Sequence, residues 1–260
     1  MAAEANAGEG ASRYWLTEDE PVLVDVAVSI GRAFAGEVAT VRVAALVDGK
    51  QVPLEVGGAP GVTHTLEIDR GEGAVFRVEP DLGTVEDGAH LLVLLLQVDV
   101  LGGGRVVHHA ATIEVFARSA TYCGAYDFRP TASVPSEPAT SSMLYTGERP
   151  PSPDDHPPDG IYDWLLTYAP DETESPETRL QFFGLVDGVQ VPITGEQAVV
   201  SVVVGRMEAA VVELSVPAAV RSGRFSLYAT ERWGTNVEDA EGRRLPDAPR
   251  TWRVHDFVIP

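Results

Sequence analysis

One nine-residue block occurs twice in this chain, and it constrains the fold more than any other feature. Leu46-Val47-Asp48-Gly49-Lys50-Gln51-Val52-Pro53-Leu54 returns as Leu185-Val186-Asp187-Gly188-Val189-Gln190-Val191-Pro192-Ile193, with seven of nine positions identical at an offset of 139. The surroundings return with it. Apolar stretches precede both blocks, at Val38–Ala45 and Arg179–Gly184. Each block is followed by short apolar runs ending at Glu79-Pro80 and Val216-Pro217. A glycine turn then leads into a longer apolar run, through Asp87-Gly88 to His90–Val98 and through Ser222-Gly223 to Phe225–Glu231. A repeat of this reach is a duplicated domain of about 100 residues, not a short solenoid unit.

Period-two patterning identifies the elements within each copy. Val22, Val24, Val26 and Val28 alternate with Leu23, Asp25 and Ala27, which puts the valines on one face of a strand. Asp-Gly at 48–49 and 187–188 is the signature of a two-residue type I′ hairpin, because both residues tolerate positive φ. Pro53 and Pro192 end the return strands early, since proline cannot donate to a ladder. Further strands are expected in the first copy at Thr63–Ile68, Ala74–Val78, His90–Val98 and Val106–Ala117. In the second they are expected at Tyr162–Tyr168, Arg179–Leu185, Gln190–Ile193, Val199–Val204, Ala210–Val216, Phe225–Glu231 and Trp252–Ile259. No segment carries sustained helical spacing free of Gly or Pro. About seven short strands per copy predict an all-β chain of two tandem immunoglobulin-like antiparallel β-sandwiches. The expected limits are a disordered tail over 1–12, a first sandwich over 13–117, a partly packed Pro-rich linker over 118–160 and a second sandwich over 161–260. The linker holds eight of the 19 prolines between residues 129 and 160. Its Thr121–Phe128 stretch, with Tyr122, Tyr126 and Phe128, is expected to pack on a sandwich as an added edge strand.

Composition then removes classes of function. Thirty-nine Asp and Glu stand against 19 Lys and Arg, a net charge of −20. The excess is spread over both copies and the stretch between them. That excludes nucleic acid as a partner, which needs clustered cations, and argues against docking on an anionic membrane surface. The longest apolar run, Leu91–Leu96, is far too short for a transmembrane helix, which needs about 20 residues, so no direct membrane insertion is expected. Cys123 is the single cysteine, so no intrachain disulfide forms. The N-terminal stretch lacks the basic and apolar regions of a signal peptide. An extracytoplasmic or cell-surface location is expected, with an export signal or anchor removed; a cytoplasmic one stays open.

The repeated block and its neighbours resemble bacterial immunoglobulin-like adhesion modules of the CARDB type. Leu46-Val47-Asp48-Gly49, Arg70-Gly71-Glu72 with Val75-Phe76-Arg77-Val78, Asp87-Gly88-Ala89-His90 and Val98-Asp99 match that pattern in order. The second copy keeps Asp187-Gly188, Val212–Val216 and Ser222-Gly223 but lacks the terminal Val-Asp. The resemblance implies the sandwich fold and an adhesion, spacer or display role without catalytic residues.

Candidate sites are few. His108-His109 are neighbours on a predicted strand and therefore point to opposite faces; they read as edge or surface histidines. Asp154, Asp155, His156 and Asp159 form the one local set of hard and borderline ligands, which could hold Ca²⁺ or a transition ion. The flanking Pro157 and Pro158 and the absence of regular oxygen spacing favour a solvated acidic linker instead. Asp171–Glu174 and Glu238–Gly242 read as solvated loops. Gly102–Gly104 reads as a hairpin connection, and no nucleophile-elbow, P-loop or dinucleotide motif occurs. Trp164, Tyr168 and Trp233 are the residues that would stack on a sugar ring, with Trp233 placed in a loop; packing is the plainer role for such aromatics. The favoured reading is a non-catalytic binding or structural module, without cofactor, engaging a protein partner or its own copies. A carbohydrate-binding module taking a glycan is the alternative, and a metal-dependent enzyme the least favoured.

Overall fold

The computed structural model describes residues 12–16, 21–31, 38–83, 88–99, 106–117, 136–138, 145–146, 162–168, 177–205, 208–217, 219–233 and 250–259. The chain divides into two compact units, Met1–Tyr126 and Asp127–Pro260. Among the described residues every regular element is a strand. The predicted all-β, immunoglobulin-like architecture is what the chain adopts.

The first unit contains β1 (Ser12–Leu16), β2 (Val24–Ser29), β3 (Val38–Val47), β4 (Lys50–Val52), β5 (Leu54–Val56), β6 (Ala59–Gly61), β7 (Thr63–Asp69), β8 (Gly73–Pro80), β9 (Gly88–Asp99) and β10 (Val106–Ala117). Its larger sheet runs β1-β10-β9-β3-β4, with β7 also on β3; its smaller sheet runs β2-β8-β5-β6. The alternating valines do what their spacing dictates: Val22, Val26 and Val28 enter the core, with Val41, Val43, Leu92, Leu94, Leu96, Ile113 and Val115 facing them. Burying one such side chain contributes roughly 1.5–3 kcal/mol.

Leu91–Leu96 does not alternate because both faces of the larger sheet are covered. Leu92 and Leu94 belong to the core between the sheets, while Leu91, Val93 and Leu95 on the other face are also buried. A strand buried on both sides reads as a continuous apolar run. One pairing departs from the antiparallel expectation. β1, for which no strand was predicted, lies parallel to β10, pairing Ser12 through Leu16 with Ile113 through Ala117.

The second unit contains β11 (Ser136–Pro138), β12 (Tyr145–Thr146), β13 (Tyr162–Tyr168), β14 (Glu177–Val186), β15 (Val189–Val191), β16 (Val199–Gly205), β17 (Glu208–Val216), β18 (Gly223–Trp233) and β19 (Arg250–Ile259). The two units share a pairing pattern. β14 takes β15, β16 and β18 as partners just as β3 takes β4, β7 and β9, and β13 pairs with β17 as β2 pairs with β8. Leu180, Phe182, Val200, Val202, Phe225 and Leu227 fill this core. Phe183 and Tyr228 stack on the opposite face, ring centroids 5.6 Å apart.

The copies differ at the edges of the smaller sheet. In the first unit β5 and β6 close the edge beside β8. In the second no such hairpin follows β15. Pro192 leads instead into a tight turn in which the Ile193 and Gln197 backbones meet. Both edges of this sheet are supplied by the Pro-rich stretch: β11 pairs with β17 and β12 with β13. The Thr121–Phe128 stretch, Gly102–Gly104 and the N-terminal tail before Ser12 lie outside the described residues.

Candidate functional site

The two Asp-Gly hairpins build the same local device. Asp48 and Gly49 have φ of 50° and 78°, and Asp187 and Gly188 have 49° and 86°. These are the paired positive values of a type I′ turn, whose twist fits its strands. In each copy the aspartate also ties the turn to the neighbouring long strand. The Asp48 amide donates to the Leu91 carbonyl at 2.9 Å, and the Leu91 amide returns a bond to Asp48 Oδ1 at 2.9 Å. The Asp187 amide donates to the Arg224 carbonyl at 3.0 Å, and the Arg224 amide donates to Asp187 Oδ1 at 3.3 Å.

The residue before each anchor separates the copies. In the first, His90 brings Nδ1 to 2.7 Å from Asp48 Oδ2. In the second the place is held by Gly223 at φ +122°, where a Cβ would lie 2.5 Å from Asp187 Oδ2. The sequence exposes the turn but not its His90 partner, 42 residues away, because nothing local marks a pairing at that separation.

Charged groups elsewhere tie strands together. Arg77 Nε reaches Asp25 Oδ1 at 2.9 Å across β8 and β2. The Arg77 guanidinium, through this bond, holds the Asp25 carboxyl below its ordinary value. In the second unit Asp256 is nearly buried, and its Oδ2 takes the Arg224 guanidinium at 2.7 Å. Its Oδ1 accepts the Ser226 hydroxyl at 3.1 Å, so that hydroxyl is directed at a carboxylate rather than an imidazole. A register shift between Leu227 and Tyr228 lets β19 gain a residue here, bringing Arg253 to 3.5 Å from the same carboxylate.

His108 and His109 lie on β10 opposite Gln97 and Leu96. They point to opposite faces as expected, and both are half-buried. His109 falls in the row of Val107, Ala111 and Ile113, which pack on the core, and its Nε2 is buried without a hydrogen-bond partner. Desolvation, and secondly the charge of His108, lowers its pKa. Burial, then Arg253, does the same to His255.

Trp164 and Tyr168 lie four residues apart on β13, opposite Leu214 and Ala210. Trp233, expected in a loop, is the last residue of β18 and pairs with Thr178. The ladder runs two residues past the predicted run, because Arg232 and Trp233 still have strand partners in Arg179 and Thr178. Asp154, Asp155, His156 and Asp159 lie outside the described residues. So do Asp171–Glu174 and Glu238–Gly242. Among the described residues no three His, Cys, Asp or Glu side chains gather as a metal-binding group, and no helix is long and apolar enough to cross a membrane.

β2 is an edge strand of the smaller sheet in the first unit. It pairs with β8 along Val24–Ser29, and among the described residues no strand pairs with its other side. Its counterpart β13 carries β12 there. Ala27 on this edge is exposed, and the residue opposite it, Val75, is 76% exposed.

No family model matches this chain, and no curated protein matches it. Solved structures with a similar fold include the CupB2 chaperone of Pseudomonas aeruginosa, at 14% identity over 96% of this chain and 97% of that one, TM-score 0.27. The CsuC–CsuE chaperone–tip adhesion subunit pre-assembly complex from the archaic chaperone-usher Csu pili of Acinetobacter baumannii matches at 10% over 93% and 94%, TM-score 0.31. CBD12 from CALX1.2 matches at 13% over 86% and 79%, TM-score 0.27. Scores this low transfer neither partner nor ligand to this chain.

Proposed function

We propose that the chain is a non-catalytic binding or structural module that works outside the cytoplasm, at a bacterial surface or in an assembly there. Its resemblance to CARDB-type adhesion modules agrees with that role. Its partner is a protein, which adds an extended segment to the edge of β2. The observation that carries the reading is that, among the described residues, no strand pairs with the outer side of β2. Backbone donors and acceptors along Val24–Ser29 form a template for another strand, and strand addition draws affinity from such groups and specificity from alternate side chains. Ala27 and Val75 form one apolar cross-strand pair on the outward face, against which one side chain of the incoming segment would pack. The ionisable groups within bonding distance of one another are spent on tying strands, which favours recognition over chemistry.

A library of extended peptides screened against the full chain tests this. Binders should protect the Val24–Ser29 amides from hydrogen exchange and should be lost in Ala27→Lys/Val75→Lys at unchanged melting temperature. Binding that survives that pair of substitutions, or the absence of any edge-protecting peptide, refutes the reading.

A further inference from the structure

We propose that the outer edge of β19 is a self-complementary seam, along which a second copy of this chain pairs antiparallel about a two-fold axis. This inference does not depend on the β2 edge. β19 is the last strand of its sheet, in the order β15-β14-β18-β19, and among the described residues no strand pairs with its other side. Its counterpart in the first unit, β10, carries β1 there. An edge of this kind is a template for another strand.

The bonding at Arg224 fixes which backbone groups of β19 point outward. The Arg224 carbonyl accepts the Asp187 amide, and the Arg224 amide donates to the Asp187 carboxylate, so both are directed to the β14 side. Opposite residues of an antiparallel pair either exchange both bonds or exchange neither. Val258, opposite Arg224, therefore turns its amide and carbonyl away from β18. Alternation along β18 extends this to Asp256, Arg253 and Thr251, opposite Ser226, Tyr228 and Thr230. The register shift between Leu227 and Tyr228 inserts Val254, so Arg253 and Asp256 face the same edge although they stand three residues apart (in a regular strand they would face opposite edges). The outward pattern then reads the same in both directions from the Val254–His255 peptide.

That symmetry is chemical as well. Laid antiparallel on its own copy about this centre, β19 sets Arg253 opposite Asp256 of the second copy, and Thr251 opposite Val258 of the second copy. Opposite charges meet twice, once on each side of the axis. Arg253 is 42% exposed and lies 3.5 Å from its own Asp256, which leaves its guanidinium placed to reach the carboxylate across the seam. On the face toward the core, Trp252 falls opposite Phe257 of the second copy; both pack partly buried against that core. Opposite-charge and aromatic pairs are the cross-strand contacts that stabilise such a ladder, and a patch that matches itself is what an isologous dimer requires.

Sedimentation velocity of the full chain from about 1 µM to about 1 mM tests this, under reducing conditions so that Cys123 cannot link chains. A concentration-dependent dimer is expected. Hydrogen exchange of the Thr251, Arg253, Asp256 and Val258 amides should slow as the dimer fills. Arg253→Glu sets like charges across the seam, and Val258→Pro removes an outward amide without touching the chain's own ladder; each should weaken the dimer at least about tenfold. Ala27→Lys/Val75→Lys should leave it unchanged. A chain that stays monomeric throughout overturns the proposal, as does a dimer that persists in both seam variants or leaves those four amides unprotected. A dimer lost only in Ala27→Lys/Val75→Lys also overturns it, and would place the contact at β2. If a seam variant does not fold, the exchange of the unmodified chain decides.

Discussion

Asp48 performs three tasks with one short side chain. It accepts the positive φ of the turn, receives the Leu91 amide and holds the His90 ring. Asp48→Ala removes all three and should lower the stability of the first unit by about 1–2 kcal/mol in urea unfolding. Asp187→Ala should cost less, because its bond to the Arg224 amide is longer and more exposed. His109 makes a different prediction. Its folded-state pKa is depressed, so the unfolded chain binds more protons below the ordinary histidine value of 6.5. Stability is then full above that value and declines as pH falls from it toward the depressed folded-state value. His255 acts in the same direction. The urea midpoint should drop between about pH 7.5 and pH 5.5, and it should drop less in His109→Gln/His255→Gln. An equal drop in both proteins would assign the effect to carboxylates instead.

Among elements, the β18–β19 hairpin concentrates buried charge. Asp256 is 7% exposed and Arg224 12%, so removing one partner leaves the other desolvated. Asp256→Ala should destabilise the second unit by about 3 kcal/mol or more, whereas the apolar pair Arg224→Met/Asp256→Leu should recover most of the loss. Thermal unfolding of the two variants measures this; equal losses would show that the ion pair itself, not the stranded arginine, matters. The strands themselves were legible in the sequence wherever alternation or turn chemistry marked them. Val22–Val28, both Asp-Gly hairpins and the proline stops are examples, and each follows from local backbone rules. The elements without such marks escaped. β1 needs only a neighbouring edge, and its parallel pairing with β10 spans about a hundred residues. β11 and β12 are too short to carry a period, and their sequence reads as linker. Asp256 and Arg224 stand 32 residues apart, and only the folded ladder brings them together. The candidate binding edge was legible only in kind. Alternation marks β2 as a strand, but which of its sides lacks a neighbour is a property of topology.

At the scale of the whole molecule, the two units share one pairing pattern, and the proline-rich stretch supplies the departure from it. Two copies of one ladder arrangement share a hairpin clamp, and their smaller sheets are closed by different means. The second sheet draws both edge strands from residues ahead of β13. A fragment spanning residues 161–260 lacks them, whereas one spanning 127–260 keeps them. The shorter fragment should unfold at a lower urea concentration and associate more strongly in sedimentation, since bare edges invite pairing. Equal midpoints and equal association would mean that the two short strands contribute nothing to the unit.

The parallel pairing of β1 with β10 has a mechanical consequence. The first unit's described strands begin at Ser12 and its last ends at Ala117, where β1 and β10 lie side by side and point the same way. Tension pulling the incoming chain one way and the outgoing chain the other is directed along the two strands in opposite senses. All five residue pairs between Ser12 and Leu16 and their partners are then loaded together in shear, rather than opened one at a time from an end. A module held at both ends by neighbouring segments would resist extension through this short seam before its core felt the load.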